Sequence, residues 1–339
     1  MERSDDVTLE WESHATSRRY PERTLMVFSG RGNPELGRRI AEKLGIPLGK
    51  VMLKTFADGE IYCKYEQSIR GGDVFIVQPT SRPVNENLME LLIMIQAAKL
   101  ASAYRVVAVI PWYGYSRQDK KSQPREPITG RLVADLLEAA GVDRVLTMDL
   151  HAGQLQGFFK LPVDHMTAVP MLADYFRFKN FEEEIVVVSP DAGGVKMAKR
   201  FADRLNASIA ILTKLRPEHN VARVMHVIGD VKGKTAIVVD DIVDTAGTLC
   251  NGAEALMAAG ATQVYAAATH PVLSDPAYDR IANSKIKELV VTDTIPLRSG
   301  VNHERITVLS TAGILADTIQ NVFADESVSA LFQGENQLF

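Results

Sequence analysis

Strand-length runs of Val, Ile and Leu recur along this chain, and each is followed by a stretch with helical spacing. Val74-Phe75-Ile76-Val77, residues 106–110 and Val145-Leu146-Thr147-Met148 lack the in–out alternation of a half-exposed strand. Strands that read this way are covered on both faces, which predicts parallel sheets between layers of helix. The series starts with Leu25-Met26-Val27-Phe28. Asn33-Pro34 then offer an N-cap and a proline for the first helical position; Leu36, Ile40 and Leu44 share one face, and Gly45 closes the helix. Leu88, Leu91, Leu92 and Ile95 make a second helical face, and residues 128–140 a third helix. A second series has strands at 185–188, 209–212, 236–239 and 264–268, with helices over 195–205 and 248–259. The expected fold class is α/β, with mainly parallel sheets flanked by helices.

A length of 339 residues suits two domains at about 150 residues each. An internal repeat agrees. Ala139-Ala140-Gly141 leads into a strand and reaches His151, and Ala258-Ala259-Gly260 leads into another and reaches His270 at the same offset. The copies stand about 120 residues apart, too far for a solenoid and suited to two similar α/β units in tandem. Residues 1–23 mix both charge signs with Ser, Thr and Pro and show no period, so a mobile extension is expected there. The two domains then run over 24–166 and 167–332.

With 46% hydrophobic and 24% charged residues, the composition is ordinary for a globular chain and excludes disorder, collagen and coiled coil. A net charge of −4 supplies no global field for nucleic acid or anionic lipid, so neither is expected as a partner. Any polyanion must be held by a local site. Cys63 and Cys250 are too few for a disulfide framework or a four-thiolate zinc site. No apolar run approaches the roughly 18 residues of a membrane span. The apolar run after Arg18-Arg19 is too short for a secretory h-region. A soluble cytoplasmic protein is the expectation.

Two phosphate motifs fail. Gly30-Arg31-Gly32 follows a strand and opens a helix, but Glu35 stands where a dinucleotide fingerprint needs its third glycine. Gly233-Lys234-Thr235 resembles a P-loop tail, yet Ile228 replaces the first glycine and a strand follows in place of a helix. The seven histidines include no His-x-x-x-His pair for a zinc hydrolase.

One string carries chemistry. After the strand Val238-Val239 come Asp240-Asp241-Ile242-Val243-Asp244-Thr245-Ala246-Gly247-Thr248 and then a helix. Ligands of an open α/β sheet bind at the carboxyl ends of its strands. The amides of Thr245, Ala246, Gly247 and Thr248 stand at a helix N-terminus, where free donors and partial positive charge favour a phosphate. Asp240 and Asp241 would repel that phosphate, so they suit the sugar hydroxyls beside it. Together with Asp244 the string reads as a cradle for ribose 5-phosphate.

This string resembles the phosphoribosyl-binding motif of the phosphoribosyltransferase-type fold. Further segments narrow the likeness: Phe56-Ala57-Asp58-Gly59-Glu60, Arg117-Gln118-Asp119, the run from Asp149-Leu150-His151 to Phe159, Asp191-Ala192-Gly193-Gly194 and Lys214-Leu215-Arg216-Pro217. In this order they resemble the class I ribose-phosphate pyrophosphokinases over about Leu25 to Phe332. The resemblance implies two tandem phosphoribosyltransferase-type domains and transfer of the β,γ-diphosphoryl group of MgATP to the 1-hydroxyl of ribose 5-phosphate, releasing AMP. It implies Lys214 and Arg216 as catalytic residues on a flexible loop, 213–220, and His151 and Asp191 as Mg²⁺ positions. Phe56, Asp58, Gly59, Glu60, Arg117, Gln118 and Asp119 would hold ATP, the first four meeting the others across a subunit interface in a homo-oligomer, a hexamer by resemblance. Ser81, Ser327, Ser329 and Phe332 would belong to an allosteric phosphate or ADP site. Where the family loop commonly reads Lys-Arg-Arg-Pro-Arg, this chain has Leu215 and Glu218 in place of two arginines.

Two other function classes fit less of the chain. A non-catalytic regulatory homologue is expected to lose catalytic or metal positions, whereas His151, Asp191, Lys214 and Arg216 are all present. A phosphoribosyltransferase consuming the product explains the cradle but not the ATP segments.

Overall fold

Each buried run becomes a strand, and the helices fall where the apolar spacing placed them. The computed structural model describes residues 23–215 and 224–332, without the side chains of Lys214, Leu215 and Val224. The first half runs β1 (Leu25–Ser29), α1 (Pro34–Lys43), β2 (Val51–Thr55), β3 (Ile61–Tyr65), β4 (Asp73–Val77), α2 (Val84–Leu100), β5 (Arg105–Ile110), α3 (Thr129–Ala140), β6 (Arg144–Met148) and β7 (Val163–Met166). Five of these strands form a parallel sheet in the order β1-β4-β5-β6-β7. The second half runs α4 (Val169–Arg177), β8 (Ile185–Ser189), α5 (Val195–Leu205), β9 (Ser208–Leu215), β10 (Val224–Ile228), β11 (Thr235–Val243), α6 (Gly247–Ala258), β12 (Gln263–Pro271), α7 (Ala277–Ala282), β13 (Ile286–Thr292), β14 (Ile306–Leu309) and α8 (Ala312–Phe323). Its sheet has the order β10-β9-β8-β11-β12-β13-β14, parallel except for the β9–β10 pair. The α/β class with two tandem sheets is as the sequence predicts.

Apolar burial holds the layers. Val74, Phe75, Ile76 and Val77 of β4 are wholly buried, each removing side-chain surface that stabilises by about 1.5–3 kcal/mol. One core joins the inner faces of both sheets through α1, α4, α5 and α8, with Phe75, Phe176, Phe201 and Ile237 among its members. A second lies under α2 and α3 on the first sheet, and a third under α6 and α7 on the second. Asn33 caps α1 by accepting from the Leu36 amide at 3.2 Å and also donates to the Asp293 carbonyl at 2.8 Å, tying the two halves.

Strand order decides where a site can form. In the first sheet the strands are laid down in one direction. In the second, β8 is followed by β9 on one side, and the chain then crosses to β11 on the other. The carboxyl ends of β8 and β11 therefore flank a topological switch point, where open α/β sheets leave a crevice. Moreover β8 pairs with β11 only from Thr235 to Val238, so Asp240 and Asp241 lie where β11 has outrun that neighbour.

Several details differ from the sequence expectation. Residues 51–65 form an antiparallel hairpin, unforeseen because β2 and β3 are half-exposed and interrupt their apolar residues with Lys, Thr and Tyr, so that neither reads as a buried run. Arg23, expected to close the mobile extension, is anchored to Asp325 at 2.6 Å; the rest of that extension, residues 1–22, lies outside the described residues. Thr213, Lys214 and Leu215 do not open a loop but continue β9, with Lys214 opposite Met225 of β10. Arg216 and the remainder of the expected loop through 220 lie outside the described residues. Among the described residues no helix is long and apolar enough to cross a membrane.

The two failed phosphate motifs have structural reasons. The Gln78 side chain fills the space beside Gly30, where an added Cβ would come within 2.4 Å of its Oε1, and that oxygen accepts from the Gly32 amide at 2.8 Å. Gly233 (φ +72°) merely turns the chain into β11.

Candidate active site

At the switch point lies a cavity of about 240 Å³. Asp240, Asp241, Asp244, Thr245, Ala246, Gly247 and Thr248 supply one wall, Asp191 another, and His151 and Arg117 enter from the loops beyond β6 and β5. The structure thus brings the predicted cradle together with both predicted metal positions and one predicted ATP residue.

The local chain explains the cradle. Ala246 adopts φ +57° immediately before α6 and caps it with no side-chain hydrogen bond; a helix N-terminus of this kind favours an anion. Beneath the loop Arg280 of α7 donates to the Thr245 carbonyl at 2.9 Å. Asp191 follows β8, and its Oδ1 accepts from the amides of Gly193 at 2.8 Å and Gly194 at 3.0 Å, shaping a tight turn before α5.

Charge in the cavity is mostly negative. Burial, and then the neighbouring Asp241 charge, push Asp240 well above the usual carboxylate range. Burial also acts to raise Asp241, but hydrogen bonds with His151 and Asp240 and the nearby imidazole charge together hold Asp241 low. His151 Nδ1 meets Asp241 Oδ2 at 2.8 Å, and this bond raises the imidazole against the lowering effect of its burial. Arg117 pairs with Asp244 at 2.6 Å. Burial would lift Asp244, yet hydrogen bonds from Ser274 and Arg117 keep it ionised.

This donor set answers the metal question. Among the described residues no three His, Cys, Asp or Glu side chains converge on one point, so there is no all-protein cage. Mg²⁺ prefers to keep water and share substrate phosphates, taking one or two carboxylates from the protein. An acidic cavity with Asp191 and His151 at its rim fits that habit.

Other predicted residues fall elsewhere. Phe56, Asp58, Gly59 and Glu60 occupy the exposed tip of the β2–β3 hairpin, with Phe56 51% exposed, and do not line the cavity. Gln118 lines a neighbouring cleft of about 600 Å³ that shares Arg117 with the cavity, while Asp119 accepts from Gln154. Ser81 lies in that cleft, beyond the carboxyl end of β4. Ser327 follows Asp325, which Arg105 grips at the opposite end of the sheet; Ser329 and Phe332 form a short 3-10 turn there. Within one chain Ser81 therefore does not join Ser327, Ser329 and Phe332, because β4 separates them. Arg280 and Ser274 carry no motif, and nothing in the sequence marked their part in the site.

Fold and site define a class: a two-sheet α/β protein with an acidic strand–loop–helix cavity at a topological switch point. Comparison with known proteins narrows it. Residues 25–141 match the N-terminal domain of ribose phosphate pyrophosphokinase, and residues 213–333 match the phosphoribosyl synthetase-associated domain. The ribose-phosphate pyrophosphokinase of Clostridium perfringens is 56% identical over 313 residues, 92% of this chain and 98% of that protein. That of Bacillus caldolyticus is 56% identical over 308 residues, 91% of this chain and 98% of that protein. The crystal structure of phosphoribosylpyrophosphate synthetase from Mycobacterium smegmatis superposes with a TM-score of 0.85 at 45% identity, covering 89% of this chain and all (100%) of that one. The chain belongs to the ribose-phosphate pyrophosphokinase family.

Proposed function

We propose that this enzyme transfers the β,γ-diphosphoryl group of ATP to O1 of D-ribose 5-phosphate, giving 5-phosphoribosyl 1-pyrophosphate and AMP and so feeding nucleotide, histidine and tryptophan biosynthesis. The carrying observation is the single cavity in which the cradle of α6 faces His151 and Asp191. The 5-phosphate sits on the amides of Thr245, Ala246, Gly247 and Thr248, and Asp240, Asp241 and Asp244 accept from the sugar hydroxyls and the loop that holds them. O1 attacks the β-phosphorus, the bond from that phosphorus to the α-phosphate oxygen breaks, and AMP leaves with that oxygen. The hydroxyl proton passes to solvent.

Such chemistry needs positioning and charge neutralisation more than a protein nucleophile. Asp191 and His151 would hold Mg²⁺, which would supply charge neutralisation when bound. Lys214 adds a cation from the end of β9 and Arg216 another from the residues that follow that strand. Arg117, Gln118 and Asp119 hold the nucleotide from the same chain. Phe56, Asp58, Gly59 and Glu60 serve it from a second copy, since their hairpin tip is exposed and lines neither cavity that Arg117 lines; this supports a homo-oligomer, a hexamer by family likeness, in the cytoplasm. Ser327, Ser329 and Phe332 form part of a regulatory phosphate or ADP site.

The decisive assay supplies ATP, Mg²⁺ and ribose 5-phosphate. AMP and phosphoribosyl pyrophosphate should appear in equal amounts; release of ADP, or of neither nucleotide, overturns the proposal. Running it with and without inorganic phosphate reads the regulatory site.

A further inference from the structure

The sequence repeat pairs His151 with His270, and the structure gives the two rings opposite surroundings. His151 is open to the cavity, whereas His270 is almost wholly buried and packs on Trp112 with ring centroids 4.8 Å apart. Its Nε2 lies 3.1 Å from both the Met148 and the Asp149 carbonyls, and its Nδ1 lies 3.0 Å from Thr294 Oγ1. Carbonyls only accept, so Nε2 carries the proton and donates across the two. Thr292 Oγ1 donates to the Thr269 carbonyl at 2.7 Å; the Thr294 hydroxyl, 3.2 Å from that same carbonyl, donates to the nearer Nδ1. Every polar atom of this buried group is then satisfied with a neutral ring.

The beneficiary is Asp149, which is 5% exposed and holds φ +35°, a conformation unfavourable for a residue with a side chain. Its amide donates to the Met166 carbonyl at 2.9 Å. Its Oδ2 accepts from the Ala168 amide at 2.8 Å and from Thr269 Oγ1 at 2.6 Å. Two of the groups that hold Asp149, Thr269 and His270, sit on β12 of the other sheet. The same strand sets the register of β11, with Ala268 opposite Asp240 and His270 opposite Ile242. One strand therefore fixes both members of the His151–Asp241 pair.

We infer that Thr269 and His270 are positioning residues for His151: from β12 they hold the strained backbone of Asp149, two residues earlier, so that the His151 imidazole meets Asp241. The inference rests on the proposed function only in counting His151 as part of the reacting site.

Thr269→Val keeps the side-chain shape and removes the hydroxyl, while Thr269→Ser keeps the hydroxyl. In the AMP-release assay Thr269→Val should lower kcat about tenfold or more with KM for ribose 5-phosphate within about twofold, and Thr269→Ser should stay within about threefold of the parent. On a His151→Ala background Thr269→Val should cost nothing further in kcat, since it acts through that ring. Crystal structures should show the His151–Asp241 bond broken in Thr269→Val and retained in Thr269→Ser. An unchanged kcat in Thr269→Val, equal damage by both variants, additive losses or an intact bond in Thr269→Val each overturn the inference. If the parent releases no AMP, the proposed function fails while the crystal comparison still decides the positioning role. Should Thr269→Val not fold, Thr294→Val removes the hydroxyl that meets His270 Nδ1, together with its bond to the Thr269 carbonyl and the acceptor for Thr292 Oγ1; kcat should fall with KM held, and an unchanged kcat overturns the inference.

Discussion

Ala246 holds φ +57° at the entrance to the cradle, where a Cβ costs about 1 kcal/mol relative to glycine. Ala246→Gly should relieve that strain and loosen the loop at once. Calorimetry should show a melting temperature no lower than the parent's, and kinetics a higher KM for ribose 5-phosphate; a lower KM would contradict the view that a stiff loop presents the amides. Cys63 makes a second prediction at this scale. Burial, and then the Glu90 charge, push its thiol up to about 11. Only thiolate alkylates, so its rate with iodoacetamide should rise roughly tenfold per pH unit until about pH 11. Labelling should be slow at pH 8 in the native enzyme and fast in urea. A native rate that levels off near pH 8 would show that the thiol is not shielded as the structure has it.

Among the elements, α1 and the β9–β10 pair carry the clearest tests. Asn33→Ala removes both the cap on Leu36 and the donor to the Asp293 carbonyl, and should cost about 1–2 kcal/mol in urea unfolding. An exposed cap with no role across the halves would cost less than about 1 kcal/mol. Lys214 belongs to a paired strand rather than to a free loop, so its backbone is placed by the ladder with Met225 and not by ligand. Lys214→Ala should lower AMP release by about 10²–10³-fold, the scale of a lost transition-state cation, with unaltered circular dichroism. Unchanged turnover would remove Lys214 from the mechanism.

For the whole molecule the joint between the halves matters most. Arg105 donates to buried Asp73 at 2.6 Å and to the Val322 carbonyl at 2.9 Å, and it pairs with Asp325 at 3.0 Å. This one guanidinium binds the end of α8 to the first sheet. Arg105→Met leaves the Asp73 carboxylate buried without its nearest cation and should cost about 3 kcal/mol. Equilibrium unfolding measures this, and a loss under about 1 kcal/mol would mean that Arg23, 3.6 Å from Asp73, suffices alone. Light scattering on the native enzyme tests the assembly, since a monomer that turns over would leave the hairpin tip with Phe56 no part in the nucleotide site.

The parallel sheets and most of their helices were legible because continuous burial leaves a continuous apolar run, whose length and spacing identify the element. The cradle at 240–248 was legible for the same reason: strand, acidic pair, small-residue loop and helix are contiguous, so their chemistry survives in one string. The β2–β3 hairpin was not, because its half-exposed strands break the apolar run with Lys, Thr and Tyr. Nor did any local pattern mark Arg280 under Thr245, Arg117 against Asp244, or Thr269 and His270 behind Asp149. Those contacts join residues 35, 127, 120 and 121 positions apart, and distance along the chain carries no record of distance in space. By itself the sequence determined the elements and the functional groups that each short segment carries. Only the tertiary structure decided which segments share a cavity, since the strand order at β8 and β11 and the reach of β12 into the other half arise from packing the two sheets together.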